Sequence, residues 1–303
     1  MLDARAAGRA ALAGVAVAGL GFGVGSGAQP AERLGTVSAA STSASAAMVL
    51  TAAAPPASIP TTAVSTSWLP AQRRGPTNPS RLRHLGTATQ VIVVSAPRWR
   101  SAHGTLRAYE LTADGHWQLA FAPVRGALGR HGLVWAASRR QGSGMTPAGT
   151  FGVTQAFGRV ADPGTALPYT AVDGDDAWPY DPRDPATYNV LQTTPPAGRW
   201  RAGYVERLRS YGRQYDYAAV LDFNLPRPPY LKSGSLWRAA VPADTRAGGG
   251  IFLHANKKVR GVVQPTAGCI SVPRATMRAL LRWLDPAASP VVVVAPTAAL
   301  PRA

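Results

Sequence analysis

Apolar, β-branched runs separated by polar turns recur along the chain from Thr87 onward. Such runs are typical of strands buried in a sheet. The first strand is predicted at 87–96, and the runs at 104–112 and 117–124 flank an Ala-Asp-Gly-His turn that predicts a β-hairpin. Further strands are predicted at 133–138, 150–157, 218–223, 250–254, 269–272 and 291–294. The sequence therefore predicts a mostly β fold.

One short helix is predicted near the C-terminus. Ser271 or Val272 is expected at its cap and Pro273 in its first turn, and Asp285 with Pro286 ends it. Its apolar face is predicted to contain Met277, Leu280, Leu281 and Leu284.

A long segment, 158–217, separates two of the predicted strands and is dense in Asp, Pro, Trp and Tyr. Segments of this length without regular structure are usually functional or disordered, and the aromatic content favours an ordered lid or substrate wall. Asp173, Asp175 and Asp176 raise the alternative of a cation site. The spacing of a calcium loop and its terminal glutamate are missing, so a solvated acidic turn is favoured.

The first 28 residues are predicted to be a signal peptide. Arg5 and Arg9 precede an apolar run at 10–24, and small residues at 26–28 offer a cleavage site. The apolar run is short for a spanning helix, so a retained membrane anchor is the less favoured alternative. The protein is therefore expected to be secreted or in the cell envelope, touching a membrane only through an uncleaved signal segment.

Residues 29–85 are rich in Ala, Ser, Thr and Pro and nearly lack large apolar side chains. A segment of this composition cannot bury a core, so it is predicted to be a disordered tether. The folded domain is then predicted at 86–297, and residues 298–303 are expected to be a tail.

The net charge of +17 comes almost entirely from arginine. An acidic wall polymer or anionic lipid is a plausible neighbour, and an Arg-rich composition from a GC-rich genome explains the charge equally well. No basic motif with interleaved stacking aromatics is present, so nucleic acid is not expected as a partner. Lys257, Lys258 and Arg260 are interpreted as a solvated basic loop rather than as direct contacts to substrate carboxylates.

Cys269 is the only cysteine in the chain, so it cannot form an internal disulfide. A buried small hydrophobe is the ordinary alternative to a reactive thiol. His254 lies upstream of the Thr-Ala-Gly-Cys turn, and a thiol beside an imidazole makes a centre for acyl transfer. Gly268 lacks a Cβ, so a substrate carbonyl could approach the amides of Gly268 and Cys269 as an oxyanion site.

Two motifs together resemble the catalytic domain of the YkuD-type L,D-transpeptidases of bacterial cell walls, over roughly residues 88–296. The first is Met-Thr-Pro-Ala-Gly-Thr-Phe at 145–151, and the second is His254 followed by Thr-Ala-Gly-Cys-Ile at 266–270. The resemblance implies a β-sandwich domain with a long inserted loop region. It also implies an enzyme that opens a peptide bond after the diamino acid of a peptidoglycan stem, forms a thioester, and passes the acyl group to another stem's amine.

The resemblance also implies roles for individual residues. Cys269 is expected to be the nucleophile and His254 its base and later its acid, with the backbone carbonyl of Ala255 as third partner. The oxyanion and supporting residues are expected to be Gly268, Ala255, Thr266 and Asn256. Many members of the family carry His, and Arg or Asn, where this chain has Ala267 and Ser271, so these two positions are candidates for substrate binding.

No cofactor is expected, and a metal site is disfavoured because one cysteine and four scattered histidines give no ligand spacing. Those histidines are His84, His103, His116 and His131. Two other functions stay open. One is an L,D-carboxypeptidase or endopeptidase that uses the same acyl-enzyme, and the other is a non-catalytic module that binds the cell envelope through its charge.

Overall fold

A computed structural model describes residues 75–303. The predicted signal peptide and the predicted tether as far as residue 74 lie outside the described residues. The described part is mostly β, as the sequence predicts. Its strands are β1 Gln90–Ala96, β2 His103–Leu111, β3 Trp117–Leu119, β4 Val124–Ala127, β5 Leu133–Trp135, β6 Thr146–Gly158, β7 Tyr169–Ala171, β8 Ala177–Pro179, β9 Val205–Arg207, β10 Ala218–Leu221, β11 Arg227–Ser233, β12 Leu236–Val241, β13 Phe252–Ala255, β14 Lys258–Val259, β15 Val262–Val263, β16 Ile270–Val272 and β17 Val291–Pro296.

The main sheet closes on itself, which gives the flattened barrel of a β-sandwich. Its hydrogen-bonded order is β1, β17, β6, β10, β13, β16, β4 and β2, and β2 pairs back to β1. Strands β1 and β17 are parallel, as are β13 and β16, while the other pairs along this path are antiparallel. Three two-stranded sheets, β8–β9, β11–β12 and β14–β15, lie off this path.

The core forms where strands are covered on both faces. All seven residues of β1 are buried, and β17 is buried from Val292 to Pro296, which explains why both read as continuous apolar runs. Helix α1, Arg274–Trp283, begins just after Pro273 and buries Met277, Leu280 and Leu281. The predicted apolar face is therefore the buried face of the helix.

The chain ends in a 3-10 turn, Thr297–Arg302, whose Leu300 is fully buried in the main core. At the other end of the described residues, a 3-10 turn at Pro79–Arg81 is capped by the side chain of Asn78. No helix within residues 75–303 is long and apolar enough to cross a membrane.

The long segment 158–217 is ordered around its own aromatic side chains. Trp178 and Tyr188 are fully buried, and the indole nitrogen of Trp178 donates a hydrogen bond of 2.7 Å to Asn189 Oδ1. Asp181 forms an ion pair with Arg201 that ties two parts of the segment together. The lowered pKa of Asp181, caused first by hydrogen bonds from Arg201, keeps that carboxyl ionised. The segment is therefore ordered and forms a wall on one side of the sheet.

Candidate active site

Strands β13 and β16 bring His254 and Cys269 to one face of the sheet. The two strands are parallel neighbours in which His254 lies opposite Ser271. Cys269 immediately precedes β16. It is two residues before Ser271, so it lies beside Phe252, which is two residues before His254. Because side chains alternate along a strand, Phe252, His254 and Cys269 face the same side. The sheet thus places the two predicted catalytic side chains as near neighbours on that face.

The thiol of Cys269 is held by backbone groups. It donates a hydrogen bond of 3.3 Å to the carbonyl oxygen of Gly250 and accepts one of 3.4 Å from the amide of Phe252. Burial raises the pKa of the thiol to about 12, and the nearby charge of Glu206 acts in the same direction. In the resting protein the sulfur is therefore a neutral thiol.

The ring of His254 is buried and its orientation is fixed by its own strand. Nδ1 lies 2.7 Å from the carbonyl oxygen of Ala255, and the ring meets Tyr215 edge-on at 5.3 Å. Since a carbonyl only accepts, the contact with Ala255 favours the tautomer with the proton on Nδ1. The backbone of Gln214 is a second hydrogen-bonding neighbour of the ring. Burial lowers the pKa of His254 to about 4, so the ring is neutral at pH 7.

Within residues 75–303 no hydrogen bond joins the imidazole to the thiol, whose partners are the backbone groups of Gly250 and Phe252. A thiol paired directly with an imidazole would be expected to have a larger thiolate fraction. The resting structure differs, because burial disfavours the charged form of both groups.

The Thr-Ala-Gly-Cys turn is closed by the hydroxyl of Thr266. This hydroxyl donates to the carbonyl of Cys269 at 2.6 Å and accepts from the amide of Gly268 at 3.1 Å. Gly268 has φ of +143°, and a Cβ there would lie 3.0 Å from the carbonyl oxygen of Met145. Only glycine fits this position without strain. The amide of Gly268, a predicted oxyanion donor, is engaged by Thr266 in the resting structure.

The two sequence motifs meet at this turn. Thr146, from the first motif, donates its hydroxyl to the carbonyl of Cys269 at 3.4 Å and accepts the amide of Gly129 at 2.8 Å. Thr146 is fully buried, so its contacts hold β6 against the cysteine turn. The first motif therefore acts on the candidate site through packing and hydrogen bonds around Cys269.

The other predicted site residues lie in different surroundings. Ser271 is fully buried, and its hydroxyl donates a hydrogen bond of 2.8 Å to Asn256 Oδ1. Ala267 is exposed and lines the cavity beside Cys269. Ser271 lines neither this cavity nor the second one described below, and its hydroxyl orients the side chain of Asn256.

A cavity of about 730 Å³ opens onto Cys269. One wall comes from the long segment 158–217, which contributes Tyr180, Tyr204 and Glu206. Arg139 and Arg140 also line the cavity. The role of the long segment as a lid or substrate wall stays a prediction.

Arg139 is a site residue that sequence reasoning missed. It is 4% exposed, and its guanidinium donates to the carbonyls of Met145 at 3.2 Å and Ala247 at 2.7 Å. Burial lowers its pKa, while the neighbouring Cys269 acts in the opposite direction. A buried guanidinium beside this sulfur favours negative charge in the site.

Glu206 is the second residue that sequence reasoning missed. Its two carboxylate oxygens accept hydrogen bonds from the hydroxyls of Tyr215, at 2.5 Å, and Tyr180, at 3.4 Å. Burial raises the pKa of Glu206 to about 7, and the two tyrosines only partly oppose that shift. It is one of three glutamates in a chain rich in arginine, and this scarcity was the one signal available.

A second cavity, of about 1220 Å³, lies at the end of β13 beyond His254 and is lined by Asn256 and Gln214. Its basic residues are Arg125, Arg213, Lys257, Lys258 and Arg274. Lys257 and Lys258, interpreted from the sequence as a solvated loop, are exposed and also line this cavity. The residues that the structure describes contain no group of three or more His, Cys, Asp or Glu side chains suited to a metal ion.

Comparisons with known proteins give one family and one described structure. The family model of the YkuD L,D-transpeptidase catalytic domain matches residues 90–293. No curated protein matches the chain. Among solved structures, the chain is similar to the helical cell shape determining protein Pgp2 from Campylobacter jejuni, with 14% identity and a TM-score of 0.34. That match covers 76% of this chain and 54% of the other, so the chain spans about half the length of that protein.

Proposed function

This chain belongs to the family of YkuD-type L,D-transpeptidase catalytic domains, and from that premise we propose that it cross-links peptidoglycan stems through a thioester on Cys269. The observation that carries the proposal is the placement of the chain's single thiol. Cys269 lines a cavity large enough for a peptide. The neutral imidazole of His254, held by the carbonyl of Ala255, lies on the neighbouring strand and faces the same side of the sheet. These are the parts that nucleophilic acyl transfer requires.

The first half-reaction makes the acyl-enzyme. The thiol leaves its hydrogen bond to Gly250, gives its proton to Nε2 of His254, and its sulfur attacks the carbonyl carbon of the donor's diamino acid. The C–N bond to the next stem residue then breaks, and that residue's amine leaves with the proton returned by His254. Arg139, buried beside the sulfur, stabilises negative charge that develops during the attack.

The second half-reaction transfers the acyl group. An amine of a second stem attacks the thioester carbonyl, an amide bond forms, the C–S bond breaks, and the amine's proton passes through His254 to restore the thiol. If water takes the place of the amine, the same intermediate gives a shortened monomer. Transfer and hydrolysis therefore share every residue of the first step and differ only in the acceptor.

The envelope is the proposed location, because the stem peptides that this family uses lie in the cell wall. The predicted signal peptide supports secretion. The basic cavity beyond His254 supports a further role for anionic groups, either stem carboxylates or acidic wall polymer. A non-catalytic module that binds the envelope is the competing function for a chain with this charge.

Intact-protein mass spectrometry with a purified tetrapeptide-stem muropeptide tests the proposal. The expected result is an acyl adduct on Cys269 and, after a second stem is added, a cross-linked dimer. Shortened monomers without dimers would identify a hydrolase. The absence of any adduct on the folded protein, with carbapenem as a second acylating probe, would leave the binding module as the function.

A further inference from the structure

The cavity at Cys269 carries one carboxylate among several guanidinium groups. Arg139, Arg140 and Arg246 line it, and Glu206 is the only acidic residue in its lining. Arg246 is exposed and forms an ion pair with Asp244, whereas no cation lies within ion-pair distance of Glu206 in residues 75–303. The cavity thus offers several positive groups and one uncompensated carboxylate.

The position of Glu206 is fixed by the elements around it. Strand β9 pairs with β8, which sets Glu206 opposite the fully buried Trp178. The hydroxyls of Tyr215 and Tyr180 each donate to one carboxylate oxygen. A carboxylate held in this way keeps one geometry, as a specific binding group requires.

A part-buried carboxylate without a cation is unfavourable when ionised. Burial raises the pKa of Glu206 to about 7, so this carboxyl is partly protonated near neutral pH. A ligand ammonium placed beside the carboxylate would supply the missing positive charge and form charge-assisted hydrogen bonds. The ligand expected from this wall carries one cationic group and carboxylates that face the arginines.

We propose that Glu206, held by Tyr180 and Tyr215, is the subsite that binds the side-chain ammonium of the diamino acid in the acyl donor. This inference rests on the proposed function, because it assigns the donor's diamino acid to the cavity of Cys269. Arg139 and Arg140, which line the same cavity, are then available to the carboxylates of the same stem. The arrangement makes a free side-chain amine a condition for efficient acylation.

The experiment compares two donors that differ only in this amine. One tetrapeptide stem has a free side-chain amine on its diamino acid, and the other has the same amine acetylated. The rate of acylation of Cys269 is measured by intact-protein mass spectrometry as kcat/KM for wild type, Glu206→Gln and Glu110→Gln. Glu110 is an exposed glutamate on β2 and serves as the matched control.

Wild type and Glu110→Gln are expected to prefer the free-amine donor by about tenfold or more, the usual scale of a charge-assisted contact. Glu206→Gln is expected to lose that preference, so that it acylates with the two donors at the same rate. A residue that only braces the two tyrosines would lower both rates together, and an unchanged preference in Glu206→Gln overturns the inference.

Failure of this inference can be distinguished from failure of the proposed function. Acylation by both donors at equal rates in wild type overturns this inference and leaves the proposed function standing, whereas acylation by neither donor overturns both. If Glu206→Gln does not fold, Tyr180→Phe is measured instead, because it loosens the carboxylate without removing it. Tyr180→Phe is expected to show a smaller preference for the free amine, and an unchanged preference again overturns the inference.

Discussion

The thiol of Cys269 donates a hydrogen bond of 3.3 Å to the carbonyl oxygen of Gly250. A thiolate cannot donate, so this contact exists only with the protonated sulfur. The amide of Phe252, at 3.4 Å, is the group that would favour the thiolate, and burial outweighs it. The resting site therefore holds Cys269 as a protonated thiol, the less reactive form of the side chain.

The first prediction concerns the reactivity of Cys269 without substrate. Because burial raises the pKa of the thiol to about 12, alkylation by iodoacetamide should be slow at pH 7 and keep rising beyond pH 9. The same chain in denaturant should titrate near the value of a free thiol, about 8.5. A native profile that levels off below pH 8 would contradict the protonated resting state.

The second prediction concerns the nucleophile itself. Cys269→Ala should abolish acyl-adduct formation with stem peptide and with a carbapenem, because the chain has no other thiol. The fold should survive, since the sulfur makes only two long hydrogen bonds with the backbone. Adduct mass and the thermal unfolding midpoint are the two measurements. Cross-linking by this variant would remove Cys269 from the mechanism.

The strands of the main sheet were predictable because burial leaves a pattern in the sequence. Strands β1 and β17, covered on both faces, are continuous apolar runs, and the predicted hairpin is the observed pairing of β2 with β3. Strand β11 shows the opposite case: every one of its residues is exposed, and it contains two prolines. An exposed strand has no buried face, so its sequence carries no alternation of apolar and polar residues to detect.

The candidate site was predictable to the extent that its residues are chemically distinctive. The motif around Cys269 and the upstream His254 identified two side chains that neighbouring strands bring to one face. Arg139 and Glu206 come from elements far away in the chain, and their sequence surroundings resemble any arginine-rich loop. Only the fold shows that both line the cavity of Cys269.

The third prediction separates His254 from a structural histidine. His254→Ala should slow acylation by stem peptide by roughly 10² to 10⁴, the usual contribution of a positioned acid–base group. His116, an exposed histidine in the β2–β3 turn, provides the control, and His116→Ala should leave the rate unchanged. The measurement is the single-turnover acylation rate of the folded fraction of wild type, His254→Ala and His116→Ala. Equal rates for the two variants would exclude His254 as the base.

The fourth prediction concerns the contribution of His254 to stability in mild acid. His254 has a pKa of about 4 in the folded protein, against an ordinary value of 6.5. Below pH 6.5 the imidazole is protonated in the unfolded chain but stays neutral in the folded protein, so the contribution of this group to stability falls as the pH drops from 6.5 towards 4. Glu206, whose pKa burial raises to about 7, contributes in the opposite direction, so the effect of His254 is measured as a difference between variants. The slope from this group is at most about 1.4 kcal/mol per pH unit.

Urea unfolding at pH 7 and pH 5 measures this contribution. On going from pH 7 to pH 5, His254→Gln should gain stability relative to wild type, because the imidazole that resists protonation in the folded protein is gone. His116→Gln should behave like wild type. The same difference in wild type and His254→Gln would show that other groups cause the acid sensitivity.

The fifth prediction concerns Asn189, which links the long segment to the cysteine. Its Oδ1 accepts hydrogen bonds from the indole of Trp178 at 2.7 Å and from the amide of Gly250 at 2.8 Å. Its amide nitrogen donates to the carbonyl of Asn224 at 2.7 Å. The carbonyl of Gly250 accepts the hydrogen bond from the thiol of Cys269. Asn189 therefore fixes the position of a residue that is hydrogen-bonded to that thiol.

Asn189→Ala leaves these buried groups without partners, each at a cost of about 1–3 kcal/mol. The residue also has φ of +61°, which alanine tolerates less well than asparagine. The variant should therefore lose at least about 2 kcal/mol of unfolding free energy in urea, whereas Gln118→Ala, at an exposed position on β3, should change it by less than about 0.5 kcal/mol. Because the carbonyl of Gly250 is no longer fixed, the folded fraction of Asn189→Ala should also alkylate Cys269 faster at pH 7 than wild type. If Asn189→Ala loses stability but alkylates Cys269 at the wild-type rate, Asn189 stabilises the fold and has no effect on the reactivity of the thiol.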